Sequence, residues 1–187
     1  MLNKIILFCL LSVIYSHAIE EQRIQTVMDS KVKKVLDVLK DKKLSQKQKE
    51  QKSIRVMDGI FDYHTMAQIS LGKKWKTLSS KEKKQFTHAF EKKIKHSYVD
   101  KLRLYNNQKV IIKALKKPKS NRITLENQII GKSDTYKVIY QFYKKKKKND
   151  WYIYDVRLSG VSIVQTYRKQ FSDFLKTKSF SQLLKSL

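Results

Sequence analysis

The spacing of apolar residues changes once along this chain, and the change limits its possible folds more than any other feature. Up to about Leu102 apolar side chains recur every three or four residues; beyond Asn106 and Asn107 they alternate with polar ones in β-branched and aromatic runs. Side chains three or four apart share a helix face, and side chains two apart share a strand face. Helical spacing returns only after Gly160, through Ile163, Val164, Tyr167, Phe171, Phe174 and Leu175. Helices, a block of strands, then helices implies an α+β architecture with helices packed on one side of a curved antiparallel sheet.

The helical half divides at its caps. Ile24, Val27, Met28, Val32, Val35, Leu36 and Leu39 give one amphipathic helix within residues 19–43. Ser45 with Gln48, and Ser79 with Glu82, have the reciprocal spacing of capping boxes and open the second and fourth helices. Asp62 is placed to cap a short third helix that Gly72 ends. The fourth carries Phe86, Phe90, Ile94, Tyr98 and Leu102 at steps of four and runs to about Tyr105.

Four strands follow, at 110–115, 123–130, 136–143 and 151–158, joined by polar turns at 116–121, 131–134 and 144–150. Short connections make them an antiparallel meander. Strict alternation in the last strand puts Trp151, Ile153 and Asp155 on one face and Tyr152, Tyr154, Val156 and Leu158 on the other. Ser162 with Gln165 repeats the capping pattern for a helix over 162–176, and a last helix covers 179–187.

Residues 1–18 read as a secretory signal peptide. Lys4 precedes an apolar run too short to span a bilayer, and Ser16-His17-Ala18 is a small-x-small site predicting cleavage after Ala18. Bulky Phe8 ahead of Cys9 argues against a lipoprotein signal. Cleavage removes the only cysteine, so residues 19–187 are expected to form one exported domain held by packing without disulfides.

The net charge of +26 is of the size that often marks nucleic-acid binding. Export argues against that partner, and so does the kind of base, because only six of the 42 basic residues are arginine. Lysine is a hydrated point charge, whereas bidentate readers of phosphates and base edges favour arginine. The charge fits transient contact with anionic membrane surfaces, to which the run Lys144–Lys148 contributes, or equally a solvated surface and hairpin tip.

No catalytic constellation emerges. His64, His88 and His96 lack metal-ligand spacing, and His88 and His96 stand more than two helical turns apart. Asp155 is the one carboxylate in a strongly apolar strand, and it reads as a group bonded to a helix end or paired with Arg168 before it reads as an acid-base catalyst. No phosphate-cradling glycine loop occurs. The chain is expected to be no enzyme, and to use neither a cofactor nor a metal.

The stretch 151–171, W-x-I-Y-D-V-x-x-x-G-V-S-x-V-x-x-Y-R-x-Q-F, resembles the C-terminal signature of the MlaC (toluene-tolerance) family of periplasmic phospholipid carriers. Phe61-Asp62, Met66-Ala67, Leu71-Gly72, Trp75 and Leu78-Ser79 through Phe86 and Phe90 are similar to a second block of that family. The resemblance implies an apolar cavity between sheet and helices that holds a phospholipid as cargo. It also implies docking to an outer-membrane lipoprotein complex and to an inner-membrane ABC transporter with its membrane-anchored binding subunit. Candidate lining residues are Phe61, Met66, Ile69, Trp75, Phe90, Ile94 and Tyr98 from the helices. From the strands come Val110, Ile112, Ile123, Leu125, Val138, Tyr140, Phe142, Trp151 and Ile153. Two further readings stay open: a secreted basic module that binds anionic envelope surfaces or a protein without enclosing lipid, and an exported enzyme built around Asp155.

Overall fold

Helical spacing extends to the chain's twenties, yet Ile19–Glu20 forms a short strand, β1, which pairs with the last long strand before a 3-10 turn leads into α1 (Ile24–Lys40). The computed structural model describes residues 19–103, 105, 107–132, 134–145 and 150–187. The expected signal peptide and Lys146 to Lys148 lie outside the described residues. α2 (Gln46–Asp58) begins at a complete Ser45–Gln48 capping box. α3 (Tyr63–Leu71) begins at Asp62, whose side chain accepts from Thr65 N, and ends at Gly72 with φ +60°. α4 (Ser80–Arg103) starts at Ser79, where Glu82 accepts from Ser79 N at 2.8 Å and Ser79 Oγ accepts from Glu82 N at 3.2 Å.

The strands are β2 (Lys109–Ile112), β3 (Lys116–Lys119), β4 (Arg122–Ile130), β5 (Thr135–Lys144), β6 (Asp150–Leu158) and β7 (Val161–Ser162). Four strands were expected; among the described residues the antiparallel sheet has seven, in the order β1-β6-β5-β4-β2, with β3 also on β4 and β7 on β6. The predicted strand 110–115 ends at Ile112, and β3 occupies part of the predicted turn 116–121. Pro118 is tolerated there because β3 is a four-residue edge strand whose pairs with β4 form at Lys116 and Lys119, on either side of the proline. β7 arises because Ser159 (φ +47°) and Gly160 (φ +89°) make a two-residue turn that sets Val161 opposite Leu158.

β6 departs from strict alternation. Gln141 pairs with Asp155 and Phe142 with Ile153, so Tyr154 is an extra residue in a β-bulge. Past the bulge the faces exchange. Trp151 and Ile153 share their face with Val156 and Leu158, and Asp155 turns to the other side, correcting the assignment that alternation gives.

The pairings put the inner face in rows across the sheet. Ile153, Phe142 and Ile123 form one; Val156, Tyr140 and Leu125 the next; Leu158, Val138, Asn127 and Ile112 the third; Tyr136, Ile129 and Val110 the last. This face packs against Ile24, Met28 and Val35 of α1 and Met57 of α2, with Ile60 just beyond it. A second apolar cluster joins α3, α4, α5 (Ile163–Phe174) and α6 (Phe180–Lys185) around Phe86, Phe90 and Phe171, whose ring centroids lie 5.7–5.9 Å apart. Lys95 of α4 bridges Asp58 of α2 (2.9 Å) and Glu91 (2.6 Å), tying the helices that lie between the clusters.

Candidate functional site

Two carboxylates fix the frame around the sheet's inner face. Asp155 is 2% exposed and accepts from Gln141 Nε2 (2.6 Å), Ser162 Oγ (2.7 Å) and the Val164 backbone N–H (3.2 Å). Ser162 Oγ in turn accepts from Gln165 N at 3.1 Å, so the start of α5 is satisfied by the cap and the carboxylate together, where the helix dipole also favours negative charge. Of the two structural roles open to Asp155, the helix end is the one it has. Arg168 instead lies over Gly72, its Nε 3.2 Å from where a Cβ would stand.

Asp62 does comparable work at the other junction. The backbone from Ile60 to Asp62 runs beside β6, Ile153 N donating to Ile60 O (2.8 Å) and Asp62 N to Ile153 O (2.9 Å). Its carboxylate accepts from Thr65 N (2.9 Å) and from the Tyr143 hydroxyl, with Lys145 Nζ at 3.8 Å. Burial by itself pushes this carboxyl up; the Tyr143 and Thr65 bonds and Lys145 outweigh it and hold the group below its ordinary value.

Between these anchors the inner face closes at one end and opens at the other. Phe142, Trp151, Ile153 and Leu125 are fully buried, Ile112, Ile129, Val110 and Leu158 are half-buried, and Tyr136 is 50% exposed. Tyr98 reaches the same space from α4: burial and nearby Tyr140 both raise its phenol pKa, yet it retains accessible surface. Burial pushes Tyr140 up to about 12. Neither phenol ionises near neutral pH. Among the described residues, the inner rows carry no carboxylate or imidazole. Among the described residues no group of three His, Cys, Asp or Glu is placed to hold a metal, and His64, His88 and His96 are exposed.

The expected lining residues separate into two sets. Ile112, Ile123, Leu125, Val138, Tyr140, Phe142, Trp151 and Ile153 meet in the sheet cluster, with Val110 in the row at its open edge. Met66, Ile69, Trp75, Phe90 and Ile94 belong to the helical cluster, where Trp75 meets Phe86 edge-on at 6.4 Å. Phe61 touches both clusters. Sequence reasoning missed Val156 and Leu158, which the bulge returns to the inner face, and Asn127. The Asn127 signal was present, a polar residue at an inward position of the alternation Ile123, Leu125, Asn127, Ile129.

The family model described as MlaC protein matches residues 29–187, most of the chain. The chain belongs to the MlaC family. The MlaC-family intermembrane phospholipid transport system binding protein of Haemophilus influenzae is 26% identical over 117 residues, 61% of this chain and 55% of that one. The chain therefore spans about half the length of this curated relative. The solved structure of a phospholipid-binding protein from Ralstonia solanacearum, in complex with a phospholipid, matches with a TM-score of 0.71 at 23% identity, covering 86% of this chain and 92% of that one. That likeness establishes the shared fold: helices against a curled antiparallel sheet. Among the described residues of this MlaC-family chain, no helix is long and apolar enough to cross a membrane.

Proposed function

We propose that this chain is a periplasmic phospholipid carrier, moving lipid between the outer and inner membranes and so maintaining outer-membrane lipid asymmetry. The observation that carries the proposal is the graded inner face of the sheet, fully buried at the Trp151 end and open at the Tyr136 end. Family membership and a neighbour solved in complex with a phospholipid support it. The acyl chains lie against the rows from Ile123, Phe142 and Ile153 up to Val110, with Val156, Leu158, Phe61 and Tyr98 beside them. Met66, Ile69, Trp75, Phe90 and Ile94 back this wall from the helical core. Met28 and Met57, which cover the sheet from α1 and α2, are unbranched thioethers able to repack as a chain enters.

Energetics makes the carrier depend on partners. Two acyl chains hold on the order of thirty methylenes at about 0.8 kcal/mol each, so release into water would cost roughly 24 kcal/mol. A bilayer or a membrane complex with a continuous apolar path is as greasy as the protein, and transfer to it is close to neutral. The cargo is therefore handed over at an inner-membrane ABC transporter with its membrane-anchored binding subunit, and at an outer-membrane lipoprotein complex. The chain binds its cargo without a catalytic step or cofactor.

The test is mass spectrometry of lipids extracted from the purified mature protein, followed by uptake of a labelled phospholipid after delipidation. Stoichiometric phospholipid is expected. Protein that emerges lipid-free and takes up no label overturns the reading.

A further inference from the structure

Among the residues of the four inner rows, Asn127 is the one buried side chain that is neither aliphatic nor aromatic. Asn127 stands in the third row, between Val138 and Ile112, and is 3% exposed. Its Oδ1 has no hydrogen-bond partner. An unpartnered buried amide is destabilising by the desolvation of the group, so an asparagine persists at such a position at a cost unless something else meets it. Val138 opposite it and Ile112 beside it have no polar side-chain atoms. Tyr140 and Tyr98, the phenols of this space, are near enough to each other to interact electrostatically.

The position of Asn127 along the strands indicates what meets it. On its closed side lie the rows of Leu125 and Ile123, roughly 14 Å of strand at about 3.4 Å per residue, before Trp151, whose Nε1 is also buried without a partner. On its open side lies one row, Tyr136, Ile129 and Val110, about 7 Å away. An amphiphile entering from the open edge passes the Tyr136 row, sets hydrocarbon against the Leu125 and Ile123 rows, and leaves its ester region beside the buried amide of Asn127. In a diacyl phospholipid that region holds the ester carbonyls, which link the chains to glycerol. A half turn of the amide exchanges its oxygen and its NH2 group, so the unpartnered position can present a donor to an ester carbonyl.

We infer that Asn127 is the specificity-determining contact for the ester linkage of the bound glycerolipid, setting how deep the acyl chains sit. The inference rests on the carrier reading and adds to it a preference for ester-linked over ether-linked lipid. An ether of the same chains and head group keeps the hydrocarbon but lacks the carbonyl.

The test uses delipidated mature protein and native mass spectrometry, with dipalmitoyl-phosphatidylglycerol competing against its dihexadecyl ether analogue. The wild-type protein is expected to prefer the diester by about three- to tenfold, the worth of one hydrogen bond. Asn127→Leu is expected to bind both lipids equally and to melt no lower than wild type, because it removes an unpartnered polar group. Equal wild-type binding of the two lipids overturns the inference, and that comparison needs no variant. A preference that survives in Asn127→Leu overturns it too. Binding of neither lipid is a separate outcome that sinks the carrier reading itself.

Discussion

Asp62 and Asp155 each hold an α-helix to the sheet, and each can be tested by replacing the carboxylate. Asp62→Ala takes the cap from α3 and leaves the Tyr143 hydroxyl without its acceptor, an expected loss of about 2–3 kcal/mol in urea unfolding. The pH dependence follows from the direction of its shift. The folded pKa lies below the usual 3.8, so the unfolded chain binds the proton more readily. Its contribution is fully present above that usual value and is lost as pH falls through the folded pKa. Tyr143→Phe removes the largest of the bonds that hold it down, and the wild-type advantage over this variant is expected to shrink between pH 7 and pH 2. An advantage that stays constant or grows on acidification would contradict this account. Asp155→Ala strands Gln141 Nε2, Ser162 Oγ and Val164 N, and is expected to lower stability by about 3 kcal/mol. Refolded below its melting point, the variant is expected to carry phospholipid at wild-type occupancy; an activity abolished in folded Asp155→Asn would revive an enzymatic role.

At the scale of elements, the bulge at Tyr154 decides which side of β6 is inside. With it, Trp151, Ile153, Val156 and Leu158 share the inner face; without it, one pair must turn outward. Deleting Tyr154 is therefore expected to prevent a stable fold, seen as loss of the cooperative thermal transition by circular dichroism. Helix starts were far more legible than this. Ser45, Asp62, Ser79 and Ser162 all cap where the sequence places them, because an N-cap is a local arrangement of a side chain and the N–H groups two or three residues on. The short strands β1, β3 and β7 were illegible for the opposite reason. Two to four residues carry too little periodicity to read, and each pairs as a strand because a long neighbour presents a free edge.

For the whole molecule, long-range charge and buried apolar surface respond differently to salt. A net charge of +26 is expected to draw the chain toward anionic bilayers, and exposed charges are screened within about 3 Å at 1 M salt. Association with phosphatidylglycerol vesicles is thus expected to disappear between 50 mM and 1 M KCl, while lipid already bound stays with the protein on gel filtration at 1 M. Loss of both together would favour the basic surface-binding module over the carrier.

The order of the helices and the long strands, the predicted caps, the basic composition and the family-bearing motifs around Phe61 to Trp75 and Trp151 to Phe171 were set by the sequence alone, since each depends on neighbours within a few residues or on composition. Tertiary structure decided the rest. It divided the expected lining between a sheet cluster and a helical one, because a helical stripe repeating every three or four residues does not say which neighbour will cover it. It exchanged the faces of β6 through one extra residue that only the partner strand reveals. It left Asn127 buried beside apolar neighbours, and burial is a property of everything that surrounds a residue in space.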